Sequence, residues 1–127
     1  MKKQILSMAV AAAAIAAPIA AQAEGDPENG EKLFRRCQAC HVVDKEQNRV
    51  GPYLKGLIGR EVAGVDSYNY SNAMKSWAEG KGEWTVEMLA DYLEKPMQTV
   101  KGTKMAFPGL PDAQDRADVA AYIAENS

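Results

Sequence analysis

Cys37-Gln38-Ala39-Cys40-His41 holds both cysteines and the only histidine of the 127-residue chain. Two thiols three residues apart, with an imidazole directly after the second, form the C-x-x-C-H pattern of c-type haem attachment. On a helical turn, positions i, i+3 and i+4 share a face. Cys37 and Cys40 can therefore reach the two vinyl groups of a haem while His41 brings a ring nitrogen to the iron from the same side. Other uses of these residues fit less well. A thioredoxin-like pair should follow a strand in a βαβ pattern, and nothing upstream alternates like a strand. A zinc site would need a fourth ligand, and the chain has no second Cys/His pair to supply it. A disulfide would close a tiny loop and leave His41 without a role.

Upstream of the motif, residues 1–23 read as a cleaved secretory signal. Lys2 and Lys3 form its charged start, Ile5 to Ile19 is an apolar run dominated by alanine, and Ala21-Gln22-Ala23 is an A-x-A cleavage site. The run is short and weakly apolar for a membrane span of about 20 residues. Cleavage leaves residues 24–127 as one domain by length, exported to the periplasm, with no membrane anchor. Removing Lys2 and Lys3 leaves 13 basic against 17 acidic residues, a formal charge of −4. Acids and bases are interspersed, which excludes nucleic acid as the expected partner. An oxidising compartment suits the two cysteines.

Downstream, the pattern is helical and interrupted. Asp26-Pro27-Glu28 is a helix start, with Asp26 as N-cap and Pro27 at the first helical position. Gly30, Leu33, Phe34 and Cys37 follow at spacings of 3 and 4, so this helix is expected to run into the motif. A glycine on that apolar face costs about 1 kcal/mol relative to alanine, and its presence there points to another backbone passing close by. From Val42 to Tyr70 no period is sustained, and Gly51, Pro52, Gly56, Gly59 and Gly64 punctuate the stretch. So long a segment without regular structure belongs in a compact domain only when it serves a function, and wrapping a flat apolar cofactor is such a function. Further helices are expected over 71–80 with Ser71 as cap, from Thr85 to about Lys95 where Pro96 ends it, and after Pro111-Asp112 with Asp112 as cap. Their apolar stripes are Met74 with Trp77 or Ala78, then Met88, Leu89, Tyr92 and Leu93, then Val119, Ala120, Tyr122 and Ile123. The sum is an all-α chain of four or so helices whose long loops close around one haem.

A single histidine excludes bis-histidine ligation within the chain. The sixth iron position falls to methionine, lysine, an N-terminal amine, or nothing. Met88 and Met74 sit on helical stripes and read as packing. Met97 and Met105 lie in loops after Pro96, where a side chain can be aimed across the iron, and Met105 is preferred. It follows Gly102-Thr103-Lys104 and precedes Phe107-Pro108, a loop flexible enough to wrap yet pinned by an aromatic ring.

Cys37 to His41, Gly51-Pro52-Tyr53-Leu54 leading to Gly59-Arg60, Tyr68-Asn69-Tyr70-Ser71, and Lys101-Gly102-Thr103-Lys104-Met105-Ala106-Phe107 together resemble class I cytochrome c. The match is to its mitochondrial-like branch, which includes small periplasmic bacterial proteins, and it runs from about Gly25 to Ala124. The resemblance implies His41 and Met105 as axial ligands, with Cys37 and Cys40 as thioether anchors. It implies that the Pro52 carbonyl accepts from the other nitrogen of the ligand histidine. Arg60, Tyr70, Trp84 and Thr103 match positions that hydrogen-bond the haem propionates. Tyr92 matches the residue beside the methionine sulfur, and Phe107 the one shielding the haem edge. Departures from the family pattern are Lys101 where proline is usual, Met74 where asparagine is frequent, and about three extra residues around Trp77. The family's lysine ring is also thinned at Met97, Gln98, Pro111 and Asp112.

The function expected is single-electron transfer by a soluble monomer, without enzymatic turnover of a substrate. Two filled axial positions keep substrates from the iron. The partners expected are a membrane oxidoreductase, terminal oxidase or reaction centre. They would dock at an exposed haem edge rimmed by Arg36, Arg49, Lys55 and Lys104. The rival readings are a haem enzyme or gas-binding protein with an open sixth position, and a thiol redox protein.

Overall fold

The computed structural model describes residues 9–11 and 25–127. The expected leader lies outside the described residues except at 9–11. Among the described residues there are five helices: α1 (Pro27–Phe34), α2 (Asn72–Ala78), α3 (Val86–Tyr92), α4 (Pro96–Thr99) and α5 (Ala113–Glu125). In place of strands, those residues have one isolated antiparallel bridge, between Glu61 and Glu83. None of the described helices is long and apolar enough to cross a membrane.

Each helix start expected from a capping residue stands where that residue does. Asp26 accepts from the Glu28 N–H at 3.0 Å, Ser71 from Met74 at 3.0 Å and Thr85 from Met88 at 3.1 Å. Asp112 accepts from both Gln114 and Asp115. These side chains replace partners that the first N–H groups of a helix lack. The ends differ from expectation. α1 stops at Phe34, so the Cys37–His41 motif follows it in successive turns. His41 N–H still donates to the Cys37 carbonyl at 2.9 Å, which keeps the i, i+4 geometry of a helical turn. α3 ends at Tyr92, three residues short of the expected Lys95, and Pro96 opens the additional helix α4. Proline's fixed φ and missing N–H suit a first helical position as well as they terminate a preceding helix.

α1 and α5 form the main helix crossing. A Cβ at Gly30 would collide with the Asp118 carbonyl and meet Tyr122 Cβ, so the crossing has room only for a hydrogen there. Phe34 packs on Tyr122 with ring centroids 5.3 Å apart. Phe34, Val119, Ala120 and Ile123 are buried at the junction, and full burial stabilises by about 1.5–3 kcal/mol for each of the three larger side chains. Asp118, only 3% exposed, is the polar tie of this corner. Its carboxylate accepts from Asp26 N–H at 2.7 Å, Asn29 Nδ2 at 2.7 Å and Gln114 Nε2 at 2.8 Å.

Residues 42–70 cross the molecule as loops. Backbone bonds tie them at a few points: Gly51 N–H to the Cys40 carbonyl, Leu54 to Val42, Gly56 to Asn126, and Val62 to Gly82. Val43, Leu57, Val62 and Val65 are nevertheless buried. These loops, α3 and the chain after α4 enclose a cavity on the inner side of α5.

Candidate cofactor site

The cavity has a volume of about 310 Å³, within the range of pockets that hold small molecules and cofactors. All eleven residues expected at the site lie on its wall: Cys37, Cys40, His41, Pro52, Arg60, Tyr70, Trp84, Tyr92, Thr103, Met105 and Phe107. They come from the turns after α1, the long loop, the segment between α2 and α3, α3 itself and the loop after α4. Leu54, Leu57, Leu89, Leu93, Val119 and Ile123 supply the apolar lining between them.

His41 is held at two points. Its Nδ1–H donates to the Pro52 carbonyl at 2.7 Å, because a carbonyl can only accept. That fixes the tautomer and leaves Nε2 with a free lone pair. A Cβ at Gly51 would run into the imidazole ring, so glycine there makes the close seating of the ring possible. Burial pushes the His41 pKa down, the Pro52 bond opposes this, and Arg60 adds to the lowering, so the ring is neutral near pH 7. A neutral imidazole is the form that binds metals. Burial pushes the Cys37 thiol up, with Arg36 opposing. Thiol oxidoreductases need the reverse, a lowered thiol pKa.

Met105 is anchored separately. Its N–H donates to Thr103 Oγ1 at 3.2 Å, and the Tyr92 hydroxyl donates to its Sδ at 3.9 Å. Burial pushes the Tyr92 pKa up to about 12, against a weaker downward pull from its hydrogen bond with Thr103. Tyr92 is therefore a protonated donor across the physiological range. Of the other methionines considered as ligands, Met74 lines the cavity, Met88 packs on the core, and Met97 is 47% exposed and off the wall.

The polar wall is short of acceptors. Arg60 Nη2 donates to the Tyr53 carbonyl at 2.9 Å, but its Nε is buried with no hydrogen-bond partner. The Tyr70 hydroxyl accepts from Val65 N–H at 3.1 Å and keeps its own proton to give. A half-buried cation with a buried, orphan N–H calls for an anion. The donor set thus matches a flat, largely apolar group that carries carboxylates on one edge, offers two thioether sites and holds a metal open to nitrogen and sulfur. Haem c has these properties, and the residues fit it.

At the mouth, the guanidinium of Arg36 lies 5.1 Å from the Phe107 ring centroid. Lys104 Nζ donates to the Asn69 carbonyl at 2.7 Å, whereas Arg49 is off the cavity lining and donates to the Gln38 carbonyl at 3.2 Å. Lys55 departs from the expected rim: it stands in a separate polar recess with Asp44, Glu46 and Glu125. Two further residues join the wall: Tyr68, part of the Tyr68–Ser71 stretch but without an assigned role, whose hydroxyl donates to the Val50 carbonyl at 2.7 Å, and Val50, 71% exposed at the cavity edge. For Val50 the only sequence signal is its place beside Gly51-Pro52.

A family model described as Cytochrome c matches residues 27–127. The chain is similar to cytochrome c-type cyt cy of Rhodobacter capsulatus, 50% identical over 100 residues, which cover 78% of this chain and 48% of that protein. It is 44% identical over 102 residues to cytochrome c2 of Agrobacterium tumefaciens, covering 79% and 91% of the two chains. Among solved structures it superimposes on cytochrome cH from Methylobacterium extorquens with a TM-score of 0.71 and 40% identity, covering 80% of this chain and 99% of that one.

Proposed function

The chain belongs to the cytochrome c family, an electron carrier of class I fold with one haem c on Cys37 and Cys40, and on that premise we propose how its own residues serve the transfer. When bound, haem c supplies an iron that gains and loses one electron. His41 Nε2 and Met105 Sδ would hold that iron. The Pro52 carbonyl orients the imidazole and raises its basicity through Nδ1. Arg60 and Tyr70 give hydrogen bonds to the carboxylate edge, joined by Trp84 and Thr103. Phe107 screens one edge from water. With both His41 and Met105 holding the iron, no position on it would be left for a substrate, and the protein would act as a carrier without turnover chemistry.

The observation that carries this reading is the His41 ring, tied through Nδ1 at 2.7 Å, lining the same cavity as Met105. Residues 1–23 act as a leader, and residues 24–127 are the mature monomer in the periplasm. Its partners are membrane oxidoreductases, terminal oxidases or reaction centres with acidic docking patches, met at the mouth beside Arg36 and Lys104. Such contacts are small and weaken with salt.

Absorption spectra of the oxidised and reduced holoprotein, followed by potentiometric titration, test the ligand pair. Met105→Ala should lose the Met–Fe(III) band while keeping covalent haem, and Met97→Ala should keep both. A band that survives in Met105→Ala would overturn the assignment. Electron-transfer rates that ignore ionic strength would overturn the docking surface.

A further inference from the structure

Trp77 lies among the residues that lengthen the chain before Trp84, and the site described so far gives it no part. Its helix, α2, has no fully buried residue. Trp77 nevertheless joins a closed triangle of rings. Its centroid is 5.8 Å from that of Trp84 and 5.5 Å from that of Tyr92, and Trp84 and Tyr92 are 5.4 Å apart. The other two corners are fixed by backbone. Trp84 N–H donates to the Arg60 carbonyl and the Trp84 carbonyl accepts from Gly59, while Tyr92 sits in the last turn of α3. The outer side of Trp77 carries Lys81, whose Nζ is 4.9 Å from the ring centroid, placed there by a turn with positive φ at Gly80 and Gly82.

Trp84 and Tyr92 line the cavity, whereas Trp77 stands behind them and does not. The Tyr92 hydroxyl reaches Met105 Sδ at 3.9 Å, close to the outer limit for a hydrogen bond to sulfur. At that length a small swing of the tyrosine ring makes or breaks the contact. Trp77 and Trp84 are the aromatic faces that oppose such a swing.

We propose that Trp77 is a positioning residue for electron transfer: by stacking on Tyr92 and Trp84 it holds the Tyr92 hydroxyl on the Met105 sulfur and so sets the reduction potential. A donor on the thioether withdraws electron density that would otherwise stabilise the ferric iron, so keeping the contact raises the potential. This inference rests on Met105 being the iron ligand.

The test compares holoprotein variants Trp77→Ala, Trp77→Phe, Tyr92→Phe and the double variant Trp77→Ala/Tyr92→Phe by potentiometry and by the position of the Met–Fe(III) band. Trp77→Ala should lower the potential and move the band in the same direction as Tyr92→Phe. Trp77→Phe, which keeps a ring in the stack, should restore most of both. In the Tyr92→Phe background, Trp77→Ala should add little, because the hydroxyl it positions is gone. If Trp77→Ala and Trp77→Phe both leave potential and band unmoved, or if the Trp77→Ala shift persists in full without the Tyr92 hydroxyl, Trp77 is packing alone and the proposal falls. Should Trp77→Ala fail to fold, Trp77→Leu takes its place in the same cycle. A Met–Fe(III) band that survives in Met105→Ala would instead overturn the ligand assignment beneath it.

Discussion

The corner where α1 crosses α5 and the walls of the cavity are built on different terms. At the corner, backbone meets backbone through Gly30, a carboxylate answers three donors, and Phe34 and Val119 are each only 1% exposed. Around the cavity, loops meet through scattered single bonds, and Arg60 Nε and the Tyr70 hydroxyl proton wait for an acceptor. The corner is complete within the chain, whereas the cavity is completed by its cofactor. Most of the buried apolar side chains form one continuous cluster, which at the corner rests on contacts within the chain and around the cavity rests on the haem.

The largest effect that would test this division comes from replacing both Cys37 and Cys40 with serine. A haem in the cavity removes several hundred Å² of apolar surface from water, worth on the order of 10 kcal/mol at about 25 cal/mol per Å². Whole domains of this size are stable by only about 5–15 kcal/mol. The variant should be colourless and lose cooperative thermal unfolding. Hydrogen exchange should find residues 42–70 unprotected, with any residual helix confined to α1 and α5. Native-like protection over 42–70 in that variant would erase the distinction between the two regions.

The next effect belongs to the corner. Gly30→Ala places a methyl group against the Asp118 carbonyl, and the backbone must move to admit it. A loss of about 2–3 kcal/mol is expected in denaturant unfolding, despite alanine's better helix propensity. The reduction potential should stay where it is, because Gly30 is not itself on the cavity wall. A neutral Gly30→Ala would mean a loose crossing, and a shifted potential would mean that the corner and the site are not separate.

Asp118 sharpens the same point through pH. Burial raises its pKa, but the bonds from Gln114, Asn29 and Asp26 outweigh this and hold the carboxyl below the usual carboxylate range. A lowered folded-state pKa gives stability that is fully present above the unfolded value of about 3.9 and is lost as pH falls through the folded value. Asp118→Ala should cost about 2 kcal/mol at pH 7. It should also flatten the acid limb of the stability curve below about pH 4. An acid limb identical to that of the parent would show that Asp118 does not hold the corner.

Where a local rule governs, the fold was legible in the chain. Four caps, the glycine crossing and the unstructured span over 42–70 each follow from residue chemistry within a few positions. So does the motif turn, since its spacing is dictated by the cofactor. What escaped was decided at longer range. Pro96 reads equally as a helix stop or a helix start, and α4 depended on how the chain leaves α3. Lys55 resembles the other rim cations in sequence, yet the Gly56 N–H bond to the Asn126 carbonyl places it with the acids of the C-terminal end. Trp77 reads as an apolar stripe residue with no assigned task, because its partners are seven and fifteen positions away and lie outside α2.

The smallest effect concerns α2, which belongs to neither region cleanly. Its start depends on Ser71, which accepts from Met74 N–H at 3.0 Å, and no residue within it is fully buried. Met74 touches the cavity, Trp77 the aromatic triangle, and Ala73 and Ala78 pack on the core, so the helix is attached by four partly buried side chains. Ser71→Ala removes a cap worth about 1 kcal/mol. If α2 opens as a local unit, that loss should speed hydrogen exchange in 72–78 while leaving global unfolding almost unmoved. If the loss appears undiminished in global unfolding, α2 is part of the cooperative core. The two-region picture would then need a third element bridging them.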